Sequence, residues 1–283
     1  MKVVLFCGGL GMRLKDHAEN TPKPLVKIGN MPILWHVMKY YAHYGHTDFI
    51  LCLGYQAEAI KHYFLNYSEC TPNDFILSNG GKNIDLLNTD IQNWRIHFVD
   101  TGARSNIGQR LKAVEKYLKG EDEFLANYSD GLTDLHLPDL IDFFHRKGKI
   151  ASFLNVTPNL SYHFISVKNG GTVTGIKDIK SSNIRINGGY YVFKKEIFDY
   201  LDGEAELVEQ PFQRLIKESE LTTYRYDGFW ASMDTFKDKQ LLEDMYSSGN
   251  VPWQVWKNEP GSPAYSSPLS QVLRRIPARK HGS

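Results

Sequence analysis

The chain has 283 residues, with 33 Lys and Arg against 32 Asp and Glu, a formal net charge of +1. That balance provides no overall field for nucleic acid or for an anionic membrane, and no apolar run approaches the ~20 residues of a membrane span. A hydrophobic fraction of 42% is ordinary for a globular protein able to bury a substantial core.

Taken in chain order, the opening MKVVLFCGGLGMR is a short strand running into a glycine-rich loop. MPILWHVMKYYAHYG predicts a helix with Pro32 in its first turn and Gly45 as its stop. DFILCLG predicts a strand and QAEAIKHYFLNY a helix. RIHFVDTG, QRLKAVEKYL, EFLANYSD and LPDLIDFFHRKG continue the alternation of strand and helix. This pattern predicts an α/β fold with a parallel sheet between helices, whose ligands collect beyond the carboxyl ends of the strands. From about Lys149 the pattern changes. ASFLNV, FISV, TVTGI and INGGYYVF are closely spaced strand candidates, expected as an antiparallel extension that makes the sheet mixed, and ELVEQPFQRLIKE and TFKDKQLLEDMYSS predict two further helices. One domain over 1–258 is expected, and 259–283, rich in Pro, Ser and Arg, reads as a flexible basic tail. Within that tail LRRIPARK is the segment available to dock on a partner.

Cys7, Cys52 and Cys70 form no CxxC pair, and the first two sit in apolar runs as small buried hydrophobes. Met1-Lys2 leads straight into a strand without a signal-peptide pattern, which predicts a cytoplasmic protein. His43 and His46 have no cysteine or carboxylate at metal-ligand spacing, so no metal site is expected there.

The glycine loop is the first candidate site. Gly8, Gly9 and Gly11 allow the backbone close to a ligand, and Arg13 supplies a planar charged fork suited to phosphate oxygens. No Gly-Lys-Ser/Thr follows, and the glycine spacing does not match a dinucleotide fingerprint. Thr21-Pro22-Lys23-Pro24 brackets Lys23 with prolines, which predicts a point charge projecting from a stiffened, extended segment. Asp130 follows an apolar strand, and Asp234 stands at the mouth of a helix, where capping is its alternative role. Two carboxylates at element ends match the way Mg²⁺ is held together with substrate phosphates and water.

GGLGMRL, PKPLVKIGNMPILWHVMKYYAHYG, FVDTG, GQRLKAV, ANYSDGLTD, INGGYYVF, VEQPFQRL and DGFWASMDTFKDKQLLE together resemble the sugar nucleotidyltransferases, and within them the cytidylyltransferase branch. The similarity runs from about Met1 to Asn258. It implies a Rossmann-like domain, with a sugar-binding portion over about 150–230, that converts CTP and a sugar 1-phosphate into a CDP-sugar and pyrophosphate with Mg²⁺. α-D-Glucose 1-phosphate is the first acceptor to expect. By the same resemblance Gly8, Gly9 and Gly11 lie against the nucleotide, Arg13 and Lys23 bind the triphosphate, and Arg110 meets the nucleotide or a phosphate. Asp130 and Asp234 hold the metal, while Asn187, Gly188 and Glu209 face the sugar. Relatives assemble as homo-oligomers, and one is expected here.

The chain departs from that pattern in two places. Met12 stands where the family loops usually carry Thr, and the Glu-Lys-Pro that often precedes INGG is absent from TGIKDIKSSNIRINGG. Lys177 is expected to take the role of that lysine, with Lys180 next. Both departures leave room for another phosphorylated acceptor. SNGGKN, Ser78 to Asn83, is a candidate base-side loop, and uridylyl or thymidylyl transfer remains the neighbouring alternative. A non-catalytic nucleotide-sugar sensor on the same fold is the alternative from another class.

Overall fold

A computed structural model describes residues 1–9, 21–158, 163–178 and 184–257. Gly11, Met12, Arg13, Lys180 and the tail lie outside the described residues. The strands are β1 (Val3–Phe6), β2 (Lys27–Ile28), β3 (Met31–Pro32), β4 (Asp48–Leu53), β5 (Phe75–Ser78), β6 (Asn83–Leu86), β7 (Arg95–Asp100) and β8 (Glu123–Asn127). They continue with β9 (Gly131–Thr133), β10 (Ala151–Val156), β11 (His163–Val167), β12 (Val173–Asp178), β13 (Ile186–Lys194), β14 (Leu221–Arg225) and β15 (Trp230–Ser232). The helices are α1 (Ile33–His43), α2 (Ala57–Leu65), α3 (Ile107–Val114), α4 (Leu137–Lys147), α5 (Gln210–Lys217) and α6 (Phe236–Ser247).

A seven-stranded sheet in the order β14-β10-β13-β8-β1-β4-β7 organises the molecule. β8, β1, β4 and β7 pair in parallel, as the βα alternation predicts. The extension differs in detail from the expectation. Only β13 runs against its neighbours, pairing antiparallel with both β8 and β10, whereas β10 and β14 pair in parallel. β11 and β12 leave the sheet and form a ribbon of their own. β13 also carries the irregularity in its pairing with β10, where Phe153 opposes Tyr191 but Asn155 opposes Asn187. The chain accommodates the extra residues at Gly188 and at Gly189, which has a φ of 76°. A Cβ at Gly189 would lie 2.6 Å from the Tyr128 ring, so glycine is required at that turn.

Side chains alternate across the sheet with the period of two that a strand imposes. Val3, Leu5 and Cys7 pack with Leu34, Val37 and Met38 of α1, Ile60 of α2, Leu140 of α4 and Leu242 of α6. Val4 and Phe6 face the other way, onto Leu111 and Val114 of α3 and Phe212 and Leu215 of α5. Both layers are apolar because both faces are covered. Cys7 and Cys52 are free buried thiols that fall in opposite layers, and burial pushes the Cys7 thiol up to about 12.

Helix ends follow local chemistry. Pro32 caps α1, Gly148 closes α4 in the left-handed region, and Asn106 with Gln109 forms a capping box at α3. Between α2 and β7 the chain makes an excursion, the β5–β6 hairpin. Its turn is Ser78 to Asn83, so the candidate base-side loop is the tip of an exposed hairpin. Its root is pinned by the buried Asp90 carboxylate, which accepts bonds from Trp35 Nε1 at 2.5 Å, from Tyr67 at 2.8 Å and from Lys39.

Next to that anchor His36 lies buried among Trp35, Tyr246, Trp253 and Trp256, with Nε2 bonded to the carbonyl of Ile28. Burial, aided by Lys257 and opposed by the Ile28 bond, lowers its pKa to about 4. A histidine depressed on folding stabilises the fold above its unfolded pKa, and that contribution is lost as pH falls from about 6.5 towards 4. Wild type is therefore expected to lose up to about 3 kcal/mol relative to His36→Gln across that window, read from urea unfolding at a series of pH values.

Candidate active site

The carboxyl ends of the parallel strands converge on one face of the sheet, where the chain places its polar groups. Beneath the loop that follows β1, the Arg110 guanidinium is 2% exposed. It donates to the carbonyls of Gly8 at 2.8 Å and Leu53 at 3.1 Å, and to Thr101 Oγ1 at 2.8 Å. Those acceptors stand at the ends of β1, β4 and β7, so one side chain ties three strand ends together. A Cβ at Gly8 would lie 2.1 Å from the same guanidinium, so glycine there makes room for it. Gly9, in contrast, is exposed, and nothing among the described residues lies within 4 Å of where its Cβ would stand.

The fourth parallel strand is tied in by Ser129. Its Oγ donates to the carbonyl of Phe6 at 2.8 Å, and its amide donates to Asn127 Oδ1 at 2.8 Å. Ser129 has a φ of 65°, a left-handed conformation that costs a non-glycine residue about 1–2 kcal/mol. The bend it makes delivers the next residue, Asp130, onto the same face.

Asp130 and Asp234 are far apart in sequence and meet through the β9–β15 ribbon. Gly131 opposes Ser232 in its register, and the Met233 amide donates to the carbonyl of Asp130 at 2.9 Å. The capping role considered for Asp234 belongs instead to Thr235, which forms a capping box with Asp238 at the start of α6. Asp234 is left to turn its carboxylate inward, where Oδ2 accepts from Ser232 at 3.0 Å. The ribbon is clamped at its far end by Asp134, which accepts from the Phe229 amide at 2.8 Å and from the Tyr226 hydroxyl.

Lys23 closes the cluster. Its Nζ lies 2.5 Å from Asp130 Oδ2 and 2.8 Å from Asp234 Oδ1. The side chains are 16%, 22% and 43% exposed, in the order Lys23, Asp130, Asp234. The segment around Lys23 is not extended as the flanking prolines predict. Lys23–Leu25 is a 3-10 turn, closed by the Leu25 amide on the carbonyl of Pro22 at 2.8 Å and the Val26 amide on that of Lys23 at 3.1 Å. Pro22 and Val26 on either side of the turn are extended, and the turn bonds override the preference of the residue before Pro24. Burial pulls the Lys23 ammonium down, but the two carboxylates together hold it above its ordinary value. Burial pushes Asp130 up, against the opposing pull of Lys23, and Asp234 adds to the rise.

The remaining sequence-derived residues fall in different places. Asn187 and Gly188 sit beside the cluster. Trp230 Nε1, on β15, donates to the Gly188 carbonyl at 2.8 Å, and Tyr190 on the same strand as Gly188 donates to the carbonyl of Gly131 at 2.7 Å. The Asn187 amide engages its own strand, accepting from the Gly189 amide at 2.9 Å and donating to the Tyr191 hydroxyl at 2.6 Å. Lys177 is exposed on the β11–β12 ribbon, opposite Phe164. Glu209 is exposed at the N-cap of α5, beside a surface cavity it shares with Gln213 and Lys217. Among the described residues no hydrogen bond or ion pair joins Lys177 or Glu209 to Lys23, Asp130 or Asp234. The supporting roles of Ser129 and Asp134 were missed by the sequence reading. A backbone angle leaves no mark on residue type, but Thr235 with Asp238 three residues on is a readable capping signature that separates Asp234 from the helix end.

Among the described residues no group of three or more His, Cys, Asp or Glu gathers to hold a metal. Two carboxylate oxygens already converging on one cation, the Lys23 ammonium, are a hard oxygen pair that fits Mg²⁺ completed by phosphate oxygens and water. A glycine loop at a strand's carboxyl end, with a lysine and two carboxylates on the same face, marks the class: an α/β enzyme that handles phosphate groups.

The comparisons narrow the class. Residues 2–238 match the nucleotidyl transferase family. The chain is 36% identical over 258 residues to the glucose-1-phosphate cytidylyltransferase of Salmonella typhimurium, covering 91% of this chain and 100% of that relative. It is 26% identical over 260 residues to the mannose-1-phosphate guanyltransferase of Saccharomyces cerevisiae, covering 86% of this chain and 63% of that one. Among solved structures, UDP-glucose pyrophosphorylase complexed with UDP-glucose superposes with a TM-score of 0.64 at 14% identity, over 88% of this chain and 98% of that one. HddC from Yersinia pseudotuberculosis gives 0.62 at 20% identity, over 87% and 99%. At such identities the two structures speak for the fold alone. The chain belongs to the nucleotidyl transferase family, and it is a nucleotidyltransferase.

The buried Arg110 generates the first test of the site's scaffold. Arg110→Met takes the side-chain donor from the Gly8 carbonyl and one of three donors from that of Leu53, which keeps the Thr101 amide and hydroxyl, and is expected to cost about 3 kcal/mol in denaturant unfolding.

Proposed function

We propose that the protein transfers CMP from CTP to a sugar 1-phosphate, with α-D-glucose 1-phosphate as the first acceptor, giving a CDP-sugar and pyrophosphate. The observation that carries the reading is the convergence of Lys23, Asp130 and Asp234 at the strand ends beside the glycine loop. The choice of CTP and glucose rests on the relative whose whole length the chain matches at 36% identity.

The reaction needs no protein nucleophile. A phosphate oxygen of the sugar 1-phosphate, already anionic near neutral pH, attacks the α-phosphorus of the nucleotide in line. The new P–O bond forms as the α–β anhydride bond breaks, and pyrophosphate leaves with the electron pair. The protein's work is positioning and charge stabilisation. Gly8, Gly9 and Gly11 let the backbone approach the nucleotide, and Arg13 together with Lys23 takes the triphosphate. Lys23 is a compact charge on a flexible stem whose backbone is held by the Pro22–Val26 turn, so its ammonium can meet the charge that builds at the α-phosphorus. Asp130 and Asp234 are the residues to hold Mg²⁺, which supplies, when bound, neutralisation and orientation of the phosphate oxygens. Asn187 and Gly188 adjoin this centre through Trp230 and are assigned to the sugar side, with Lys177 and Glu209 further out.

For assembly, a homo-oligomer is the expected form. One face of the β5–β6 hairpin, formed by Phe75, Leu77, Ile84 and Leu86, is exposed and apolar, which supports it. Among the described residues no helix is long and apolar enough to cross a membrane.

The direct test is pyrophosphate release with Mg²⁺ and α-D-glucose 1-phosphate, with CTP, UTP, dTTP, ATP and GTP compared in parallel. Release with CTP above the others is expected. Release with none of them, nor with other phosphorylated acceptors, from folded protein would favour a nucleotide-sugar sensor. Under the same assay Asp130→Asn and Lys23→Met are each expected to lower kcat at least ~100-fold, about 3 kcal/mol of transition-state stabilisation, with the fold retained by circular dichroism.

A further inference from the structure

Lys23 has a geometry that its role at the phosphates does not explain. A lysine waiting for a triphosphate has only to reach the ligand, yet this one is bonded at once to both carboxylates assigned to the metal. One ammonium nitrogen within 2.5 Å of Asp130 Oδ2 and 2.8 Å of Asp234 Oδ1 stands where a cation shared by the two carboxylates stands. We infer that Lys23 is an internal counter-ion for this pair, which keeps the metal site assembled before the metal arrives and has to leave it when the metal binds.

The physics follows from charge and space. Two carboxylates that share one bonded partner repel each other unless a cation lies between them. The Lys23 ammonium cancels half of their charge and holds the β8–β9 bend and the start of α6 at a common point. Mg²⁺ takes oxygens at about 2.0–2.1 Å and keeps several waters, and an ammonium seated between the same two oxygens fills the space of that shell and repels the metal. The two cations are therefore alternatives for the same oxygens. The backbone at Lys23 stays fixed by the turn bonds of Leu25 and Val26, so the exchange is a swing of the four-carbon side chain alone.

The exchange gives Lys23 a destination. Displaced by the metal, the ammonium is next to the incoming triphosphate, whose negative charge compensates its departure. Metal binding without nucleotide is then opposed by the whole strength of the Lys23 contacts, and metal binding with nucleotide is not. Lys23 acts as a positioning residue towards the carboxylates before it acts as a ligand to the phosphates, and the enzyme discriminates against metal alone.

This inference rests on the assignment of Asp130 and Asp234 to the metal, and the experiment separates the two. Mn²⁺ is titrated without nucleotide into the full chain, free Mn²⁺ being read by electron paramagnetic resonance, for wild type, Lys23→Met, Lys23→Gln and the Asp130→Asn/Lys23→Met double variant. Both Lys23 variants are expected to bind Mn²⁺ at least about tenfold more tightly than wild type, and to gain more in Tm from added Mn²⁺. The double variant is expected to lose that gain. The neutral amide of Lys23→Gln still donates hydrogen bonds, so it guards against a Met variant that fails to fold. Equal Mn²⁺ affinity in wild type and both Lys23 variants, with affinity lost in the double variant, would overturn the counter-ion role and leave the metal assignment standing. Mn²⁺ binding that is the same in Lys23→Met and in the double variant would remove the metal assignment and the inference with it.

Discussion

The ion cluster of one lysine and two aspartates is the constraint around which the rest is arranged. Lys23 comes from a proline-bounded turn, Asp130 from the bend after a central strand, and Asp234 from the threshold of a late helix. Three such charges are costly to bring together with their water partly removed, and good geometry is needed to repay the cost. That geometry is built from neutral parts: the β9–β15 register, the Ser129 bend and the hydrogen-bonded turn at Lys23.

Beneath the cluster, the sheet supplies a second cation. Arg110 is bonded to carbonyls and a hydroxyl rather than to a carboxylate. By drawing the Gly8 carbonyl inward, it sets the plane of the peptide that follows, and in a trans peptide the Gly9 amide then points the opposite way. The start of the glycine loop, Gly8 and Gly9, is thus oriented from below by a buried side chain. That placement couples Gly8 to the ends of β4 and β7. A site whose chemistry is almost wholly electrostatic gains from such preorganisation, since fixed dipoles need no rearrangement as charge develops.

Much of the fold was legible in the sequence because its signals are periodic. Unbroken apolar runs such as VVLF mark strands covered on both faces, and helices such as α4, with Pro at its start and Gly at its end, carry their pattern over whole turns. Short elements carry no period, and so β14 and β15 were missed although β15 places Asp234. The β5–β6 hairpin was missed too, yet Asn79-Gly80 between apolar runs is a strong hairpin signal. For the site, residue types at element ends picked out Lys23, Asp130 and Asp234, and the structure brings those three together. The burial of Arg110 was not legible, because arginine is almost never fully buried and sequence does not show which carbonyls await it. The left-handed Ser129 left no trace in residue type.

Asp130 and Asp234, the proposed metal pair, are expected to act as one unit across the ribbon that joins them. A double-mutant cycle on kcat for the proposed CMP transfer tests this, with Asp130→Asn, Asp234→Asn and the pair assayed under saturating substrates. Strong non-additivity is expected, the double variant being no slower than about threefold below the worse single variant. Losses that multiply, or a single variant that keeps the wild-type rate, would contradict it.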